Sequence, residues 1–186
     1  MPPGIRFWPA LQLSEGERCS PNVNVSTLIS RGKVSLRENI SMDKIKPLYT
    51  ATATATGGRN GHTETSDGMV KADLSVPKEM GGPGKPGTAT PEHLFAAGYA
   101  ACFGGALDYV AKQHKKNASK ASIVCAVSIG PRDGGGFGLA VKMHVEDKSI
   151  PQAELAELAR EAHEKICPYS HATRGNVDVE LEVAGG

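Results

Sequence analysis

The chain has 186 residues, 39% of them apolar and only 5% aromatic, and its formal net charge is +1. That length fits one domain of ordinary size, with a core built from Val, Ile, Leu and Ala. The near-neutral charge argues against a nucleic-acid or acidic-membrane partner, and we expect no apolar run long enough to span a bilayer. Four widely spaced cysteines argue against a secreted disulfide scaffold and favour a reducing cytoplasm with thiols free for chemistry.

Residues 1–41 show no sustained hydrophobic period, and four prolines interrupt them. A secretory signal is not expected, because no apolar segment of sufficient length follows a basic start. We expect residues 1–41, with Cys19, to be a disordered or non-native N-terminal extension. Residues 42–186 are expected to form the folded domain.

The first folded segment predicts a three-stranded meander. Alternation and β-branched residues predict strands over residues 48–56, 62–66 and 69–76. The turn after the first strand contains Asn60-Gly61, the dipeptide typical of a two-residue hairpin. The glycine- and proline-rich stretch at 77–90 predicts a loop that leads to the next element.

A long stretch without internal proline, 91–116, predicts a single helix. Thr90 is a suitable N-cap, Pro91 fits the first helical position, and Glu92 lies where the helix dipole favours a negative charge. Most of this helix is apolar on every face, which predicts burial. Cys102 lies among glycines and alanines in its middle, and we interpret it as a reactive thiol in a dry pocket.

The second half predicts two paired strands, a helix and a final strand, over residues 121–129, 137–145, 150–167 and 176–183. Pro168 is expected to end the helix. Cys125 lies on the apolar face of its strand and is expected to be structural. Because strands and helices are segregated along the chain, we expect an α+β fold, with mostly antiparallel sheets packed around long central helices.

Four long motifs resemble the organic hydroperoxide resistance (Ohr) subfamily of the OsmC/Ohr thiol peroxidase family. They are YTATATATGGRNG, GGPGKPGTATPEHLFAAGYAACFGGAL, GGGFGLAV and CPYSHATRGNVDVELEV, within about residues 44–184. The CPYS–ATRGN ending resembles Ohr rather than the sister OsmC branch. The chain departs from the family pattern in an additional residue in the GTAT loop, in His171 and in the N-terminal extension. The resemblance implies an OsmC-like fold and an intertwined homodimer.

The resemblance also implies the chemistry. Cys102 would be the peroxidatic cysteine, which reduces an alkyl or fatty-acid hydroperoxide and becomes a sulfenic acid, and Cys167 the resolving cysteine, which forms a disulfide with it. Arg59 would supply the cation that opposes the effect of burial on the thiol, with Glu92 as its carboxylate partner. The implied reductant is a dihydrolipoyl group, dihydrolipoamide or a lipoylated protein, with no bound cofactor, in defence against oxidative stress.

The spacing along the long helix supports an oligomer. Glu92 and Cys102 are ten residues apart, which is about 15 Å along a helix axis. We therefore expect Arg59 and Glu92 to reach Cys102 of a second chain. Apolar side chains are expected to line the substrate pocket, although they could equally be core: Phe95, Phe103, Phe137, Met80 and Tyr99, with Tyr169 nearby in sequence.

Three other interpretations stay open. His163, Cys167 and His171 have four-residue spacing, which suggests a metal site, but Pro168 breaks the helical register and we expect no metal. The chain could be a non-enzymatic dimer that binds a small molecule or lipid. It could also be an OsmC-like enzyme with a broader peroxide range.

Overall fold

In the computed structural model, residues 44–186 are described in full. Before them, only the backbones of two strands are described, β1 (Val25–Ser30) and β2 (Lys33–Glu38). These strands pair antiparallel, an element that the sequence pattern does not predict, and they belong to a separate unit over 1–50. The expected disordered extension, with Cys19, falls largely outside the described residues and stays a prediction.

The second unit, 51–186, begins with a three-stranded antiparallel sheet, as expected. Its strands are β3 (Ala53–Thr56), β4 (His62–Thr65) and β5 (Lys71–Asp73). They are shorter than predicted. The pairing of β3 with β4 covers four residues, from Ala53 opposite Thr65 to Thr56 opposite His62.

The connection between β3 and β4 differs from the prediction. Thr56 pairs with His62, so the loop has five residues and contains a 3-10 turn at Gly58–Asn60. Gly57 and Gly58 have φ angles of 76° and 57°, the left-handed region that glycine adopts most easily. The hairpin is therefore not closed by a two-residue turn, and Arg59 lies in the middle of the loop.

The long helix α1 (Pro91–Gln113) begins where the sequence predicts. The Thr90 side chain accepts a hydrogen bond from the His93 backbone N–H, and the His93 ring accepts one from the Thr90 backbone N–H. This reciprocal capping satisfies two backbone donors at the helix start. The prediction of Thr90 as N-cap is confirmed.

The second sheet has the order β6 (Ser122–Pro131), β7 (Phe137–Asp147) and β8 (Asp178–Gly185). β6 and β7 pair antiparallel, whereas β8 lies parallel to β7. A parallel pair needs a crossover connection, and the helices between β7 and β8 provide it. The sheet is therefore mixed.

The helix predicted over 150–167 is an α-helix followed by a π turn, and a short helix that the sequence pattern does not predict comes after it. The three elements are α2 (Gln152–Glu161), a π-helical turn (Ala162–Ile166) and the short helix α3 (Pro168–Thr173). Pro168 ends the π turn, as expected from its missing N–H, but it also starts α3 at the first helical position, where proline is favoured.

The core lies where α1 packs against β6 and where α2 packs against β8. Its fully buried large side chains come from α1, β7 and α2: Tyr99, Phe103, Leu107, Val141, Met143, Val145 and Leu155. One face of α1 stays exposed in the single chain, with Ala97, Ala101, Gly105 and Tyr109 at four-residue spacing. The expectation that α1 is buried on every face is therefore wrong for the single chain.

The expectation about membrane-spanning length was also wrong. By length and composition alone, α1 is long and apolar enough to cross a membrane. Its contacts with β6, with α2 and with the π turn are those of the core helix of a globular domain, and such helices pass the same test.

Candidate active site

The first part of the candidate site is an ion pair at the N-terminal end of α1. The Arg59 side chain donates two hydrogen bonds to the Glu92 carboxylate, Nη1 to Oε2 at 3.0 Å and Nη2 to Oε1 at 2.7 Å. The Glu92 side chain is only 12% exposed and that of Arg59 36%. The hydrogen bonds from Arg59 hold the pKa of Glu92 below its usual value, and those to Glu92 raise the pKa of Arg59. Both groups are therefore ionised at neutral pH.

A cavity of about 350 Å³ opens beside this pair. Its walls are mainly apolar and come from the start of α1 and from the β6–β7 hairpin: Pro91, Phe95, Ile129, Phe137, Gly138 and Leu139, with Arg59 and Glu92. An apolar cavity with a single charged pair suits a ligand that has an alkyl body and a small polar group.

The second part of the candidate site is a pair of thiols. Cys102 Sγ on α1 lies 3.6 Å from Cys167 Sγ, at the junction between the π turn and α3. Both cysteines are free, Cys167 is 1% exposed, and Cys102 is partly exposed. The two sulfurs are close enough to form a disulfide after a small movement, since that bond is about 2.05 Å long.

The environment of Cys102 favours the protonated thiol. Burial raises the pKa of Cys102, and the adjacent Cys167 raises it further. A hydrogen bond from the Tyr169 backbone N–H acts in the opposite direction but does not overcome burial. Within the single chain, the environment of Cys102 therefore opposes formation of the thiolate that a nucleophile needs.

Buried hydroxyl groups attach α3 to α1 behind the thiols. The Tyr99 hydroxyl donates to Ser170 Oγ at 3.0 Å and lies 3.2 Å from Thr173 Oγ1. The Ser170 backbone N–H donates to Cys167 Sγ at 3.5 Å, so Cys167 caps the helix that these hydroxyls anchor. The sequence patterns do not predict this network, although the CPYS and ATRGN motifs contain Ser170 and Thr173.

Some of the expected pocket residues line the cavity and others belong to the core. Phe95 and Phe137 line the cavity, whereas Tyr99 and Phe103 are fully buried in the core. Met80 ends a 3-10 turn in the loop before α1.

Tyr169 lies on α3 against the side of α1. Its ring stacks on Phe95 with 5.9 Å between ring centroids. A Cβ atom at Gly98 would lie 3.2 Å from the Tyr169 hydroxyl oxygen, so the glycine lets this ring approach the helix.

The structure brings the four expected catalytic residues together as two pairs, not as one cluster. Glu92 and Cys102 lie on the same continuous helix, ten residues apart, which is about 15 Å along its axis. Arg59 is bound to Glu92, and Cys167 faces Cys102. Each pair is half of the arrangement that the resemblance implies.

Among the described residues, no group of three or more His, Cys, Asp or Glu side chains is placed to hold a metal ion. The ring of His163 packs instead beside Phe103, with 6.5 Å between centroids.

The α+β fold and the two facing thiols place this chain in a class of proteins whose site pairs a cysteine in the middle of a core helix with a second cysteine. Residues 82–182 match the family model of the OsmC-like proteins. An organic hydroperoxide resistance protein of Xanthomonas axonopodis pv. citri is 52% identical over 140 residues, which cover 75% of this chain and 96% of the relative.

Solved structures agree with this match. A crystal structure of an organic hydroperoxide resistance protein from Legionella pneumophila is 49% identical, with a TM-score of 0.70 over 75% of this chain and 99% of that one. That of OhrB from Bacillus subtilis is 46% identical, with a TM-score of 0.67 over 74% and 99%. The chain belongs to the OsmC family, in its organic hydroperoxide resistance branch. The resemblance and the α+β, OsmC-like fold are both confirmed.

Proposed function

We propose that this chain detoxifies peroxides in defence against oxidative stress, and that it does so as a cysteine-based peroxidase that reduces organic hydroperoxides to alcohols. The relatives' names support the coarser statement, since they are organic hydroperoxide resistance proteins. The observation that carries the mechanism is the 3.6 Å separation of Cys102 Sγ and Cys167 Sγ.

The proposed reaction has two steps in the protein. The Cys102 thiolate attacks the distal peroxide oxygen, the O–O bond breaks, and the alkoxide leaves and takes a proton to become the alcohol. Sulfur is oxidised to a sulfenic acid. The Cys167 sulfur then attacks Cys102 Sγ, a disulfide forms, and water leaves, so that Cys102 escapes further oxidation.

An external dithiol must then return the disulfide to two thiols. We propose a dihydrolipoyl group, as dihydrolipoamide or on a lipoylated protein, which becomes the cyclic disulfide as it reduces Cys102 and Cys167. No bound cofactor is required, because electrons pass between sulfur atoms only. A reducing compartment such as the cytoplasm suits a protein whose described cysteines are free.

Activation of Cys102 is proposed to come from a second chain in a homodimer. Within one chain, burial raises the pKa of Cys102, while the Arg59–Glu92 pair lies too far along α1 to counteract it. The partner's copy of that pair would supply the missing positive charge, and the cavity beside it would hold the alkyl group. The exposed apolar stripe on α1 supports a second copy as its cover, since monomers rarely expose such faces.

The test is turnover of cumene hydroperoxide by wild type and by Cys102→Ser, with dihydrolipoamide and then dithiothreitol as reductant. The proposal predicts turnover by the wild type with either dithiol and none by the variant. If the reduced wild type consumes no hydroperoxide, the peroxidase proposal fails and a non-enzymatic binding role takes its place. Equal rates with hydrogen peroxide would favour the broader OsmC-like activity instead.

A further inference from the structure

The π turn before Cys167 changes which backbone groups are paired. The Cys167 N–H donates to the carbonyl of Ala162, five residues back, at 2.8 Å. In an α-helix the same N–H would donate to the carbonyl of His163, four residues back. The π turn therefore deprives the His163 carbonyl of its regular donor.

The next residue cannot replace that donor. In a continued π-helix the His163 carbonyl would accept from residue 168, but Pro168 has no N–H. Without a donor from the protein, that exposed carbonyl would depend on solvent for its hydrogen bond. The sequence HEKICP thus creates an orphan acceptor one turn before the thiol.

Arg174 supplies the missing donor. Its Nη2 donates to the His163 carbonyl oxygen at 2.8 Å, from the residue that follows α3. This contact joins the two ends of the segment that contains Cys167, so the π turn, the cysteine and α3 form one braced unit.

The π turn also determines where the thiol points. One additional residue in a helical turn rotates everything after it by about 100°, because an α-helix has 3.6 residues per turn. In the observed register Cys167 Sγ lies 3.6 Å from Cys102 Sγ. The His163 ring packs beside Phe103, the neighbour of Cys102, so the turn is held at α1 on one side and at Arg174 on the other. Burial and the charge of Arg174 lower the pKa of His163, which keeps this ring neutral beside the guanidinium.

We propose that Arg174 is a positioning residue, which holds the π register through the His163 carbonyl and so keeps Cys167 within reach of Cys102. Without it, the Cys167 N–H can return to the His163 carbonyl, and the thiol rotates away. The consequence for catalysis rests on the proposed function. A Cys102 sulfenic acid that Cys167 does not capture meets a second hydroperoxide, which oxidises it to a sulfinic acid and leaves as the alcohol.

The first test needs no hydroperoxide. Full-length wild type, Arg174→Met and Arg174→Lys are equilibrated in mixtures of reduced and oxidised dithiothreitol, and the Cys102–Cys167 disulfide is quantified by peptide mass spectrometry. We expect Arg174→Met to lower the equilibrium constant for the disulfide about tenfold and Arg174→Lys, which retains N–H donors, less than about threefold.

The matched control is Arg132→Met. It removes an equal charge from an exposed arginine in the β6–β7 turn, whose Nε donates to the Gly135 carbonyl at 3.1 Å far along the chain from the π turn, so we expect a wild-type constant. If Arg174→Met does not fold, Arg174→Gln takes its place. Its amide still carries a donor, so we expect its disulfide constant to lie between that of Arg174→Lys and complete loss. A wild-type disulfide constant in Arg174→Met, or in Arg174→Gln where the methionine variant does not fold, would overturn the proposal.

The second test uses cumene hydroperoxide. We expect Arg174→Met to form the Cys102 sulfenic acid at the wild-type rate and to accumulate about ten times more sulfinic acid. An unchanged sulfinic acid yield would contradict the positioning role. If the disulfide constant falls as expected but no variant consumes hydroperoxide, the role of Arg174 stands and the proposed peroxidase function fails.

Discussion

The two ends of the candidate site lie on the same helix, and their surroundings favour opposite ionisation states: the charged form at the start of α1 and the neutral thiol in its middle. At the start of α1, Arg59 and Glu92 form a two-bond ion pair in which each partner stabilises the charge of the other. In the middle of α1, burial raises the pKa of Cys102 and favours its neutral form. The charged pair forms away from the thiols, and the thiols face each other away from the charged pair. Under the proposed mechanism the two ends must meet, and one straight helix keeps them about 15 Å apart.

Loss of Arg59 is expected to have the greatest effect, because it removes the charged end of the site and leaves the two thiols in place. We expect Arg59→Ala to lower peroxidase kcat/KM by about 100-fold or more, because it removes the positive charge that favours the thiolate. The Cys102–Cys167 disulfide constant in dithiothreitol mixtures should not fall, since Arg59 contacts neither sulfur within its own chain and a positive charge from the partner would favour the reduced thiolate. An equally large fall in that constant would show that Arg59 acts on the fold instead.

A mixed dimer tests whether the two ends meet across chains. Arg59→Ala and Cys102→Ser are coexpressed with different tags, and the heterodimer is isolated by two affinity steps. One of its two cross-chain sites keeps both Arg59 and Cys102, so we expect about half of the wild-type activity from two inactive variants. An inactive heterodimer, or a fully active monomer by light scattering and assay, would show that each chain activates its own thiol.

Tyr99→Phe is expected to have an intermediate effect, on the stability of the packing behind the two thiols. The change removes the hydroxyl that binds Ser170 and Thr173, leaves buried oxygens with fewer partners and should destabilise the fold by about 1–3 kcal/mol. Urea unfolding measures this loss. Tyr49→Phe is the control, since that side chain is 81% exposed, and equal stability of the two variants would contradict the role of the network.

Glu92→Gln is expected to have the smallest effect, and its effect should depend on pH. Because Arg59 lowers the pKa of Glu92 from its usual 4.5, the pair stabilises the native state above that value, and this contribution is lost as the pH falls through the lowered, folded-state pKa. We expect the variant to be about 1 kcal/mol less stable than wild type at pH 7 and the difference to shrink as the pH falls below the usual pKa of Glu92. Unfolding over this pH range measures it, and a constant difference would contradict the ion-pair origin.

The sequence predicted the parts of this comparison that local patterns determine. Thr90 and Pro91 mark the start of α1, and alternation over β6 and β7 marks the central hairpin. Local patterns did not predict the parallel position of β8, because strand order depends on contacts that are distant in sequence.

The thiol end shows the same limit. The π turn and α3 differ from the helix predicted over 150–167, since this segment makes contacts that local patterns do not encode, from Arg174 to the His163 carbonyl and from Tyr99 to Ser170. The pairing of Arg59 with Glu92 and of Cys102 with Cys167 followed from the resemblance rather than from residue spacing.

A single-turnover experiment shows whether Cys102 and Cys167 carry out the peroxidase reaction together. Reduced full-length protein receives one equivalent of cumene hydroperoxide, and the state of each cysteine is determined by peptide mass spectrometry. The proposed mechanism predicts one equivalent of cumyl alcohol and a disulfide between Cys102 and Cys167, with Cys125 still reduced. Unreacted hydroperoxide with both thiols intact, or a disulfide that omits Cys102, would contradict it.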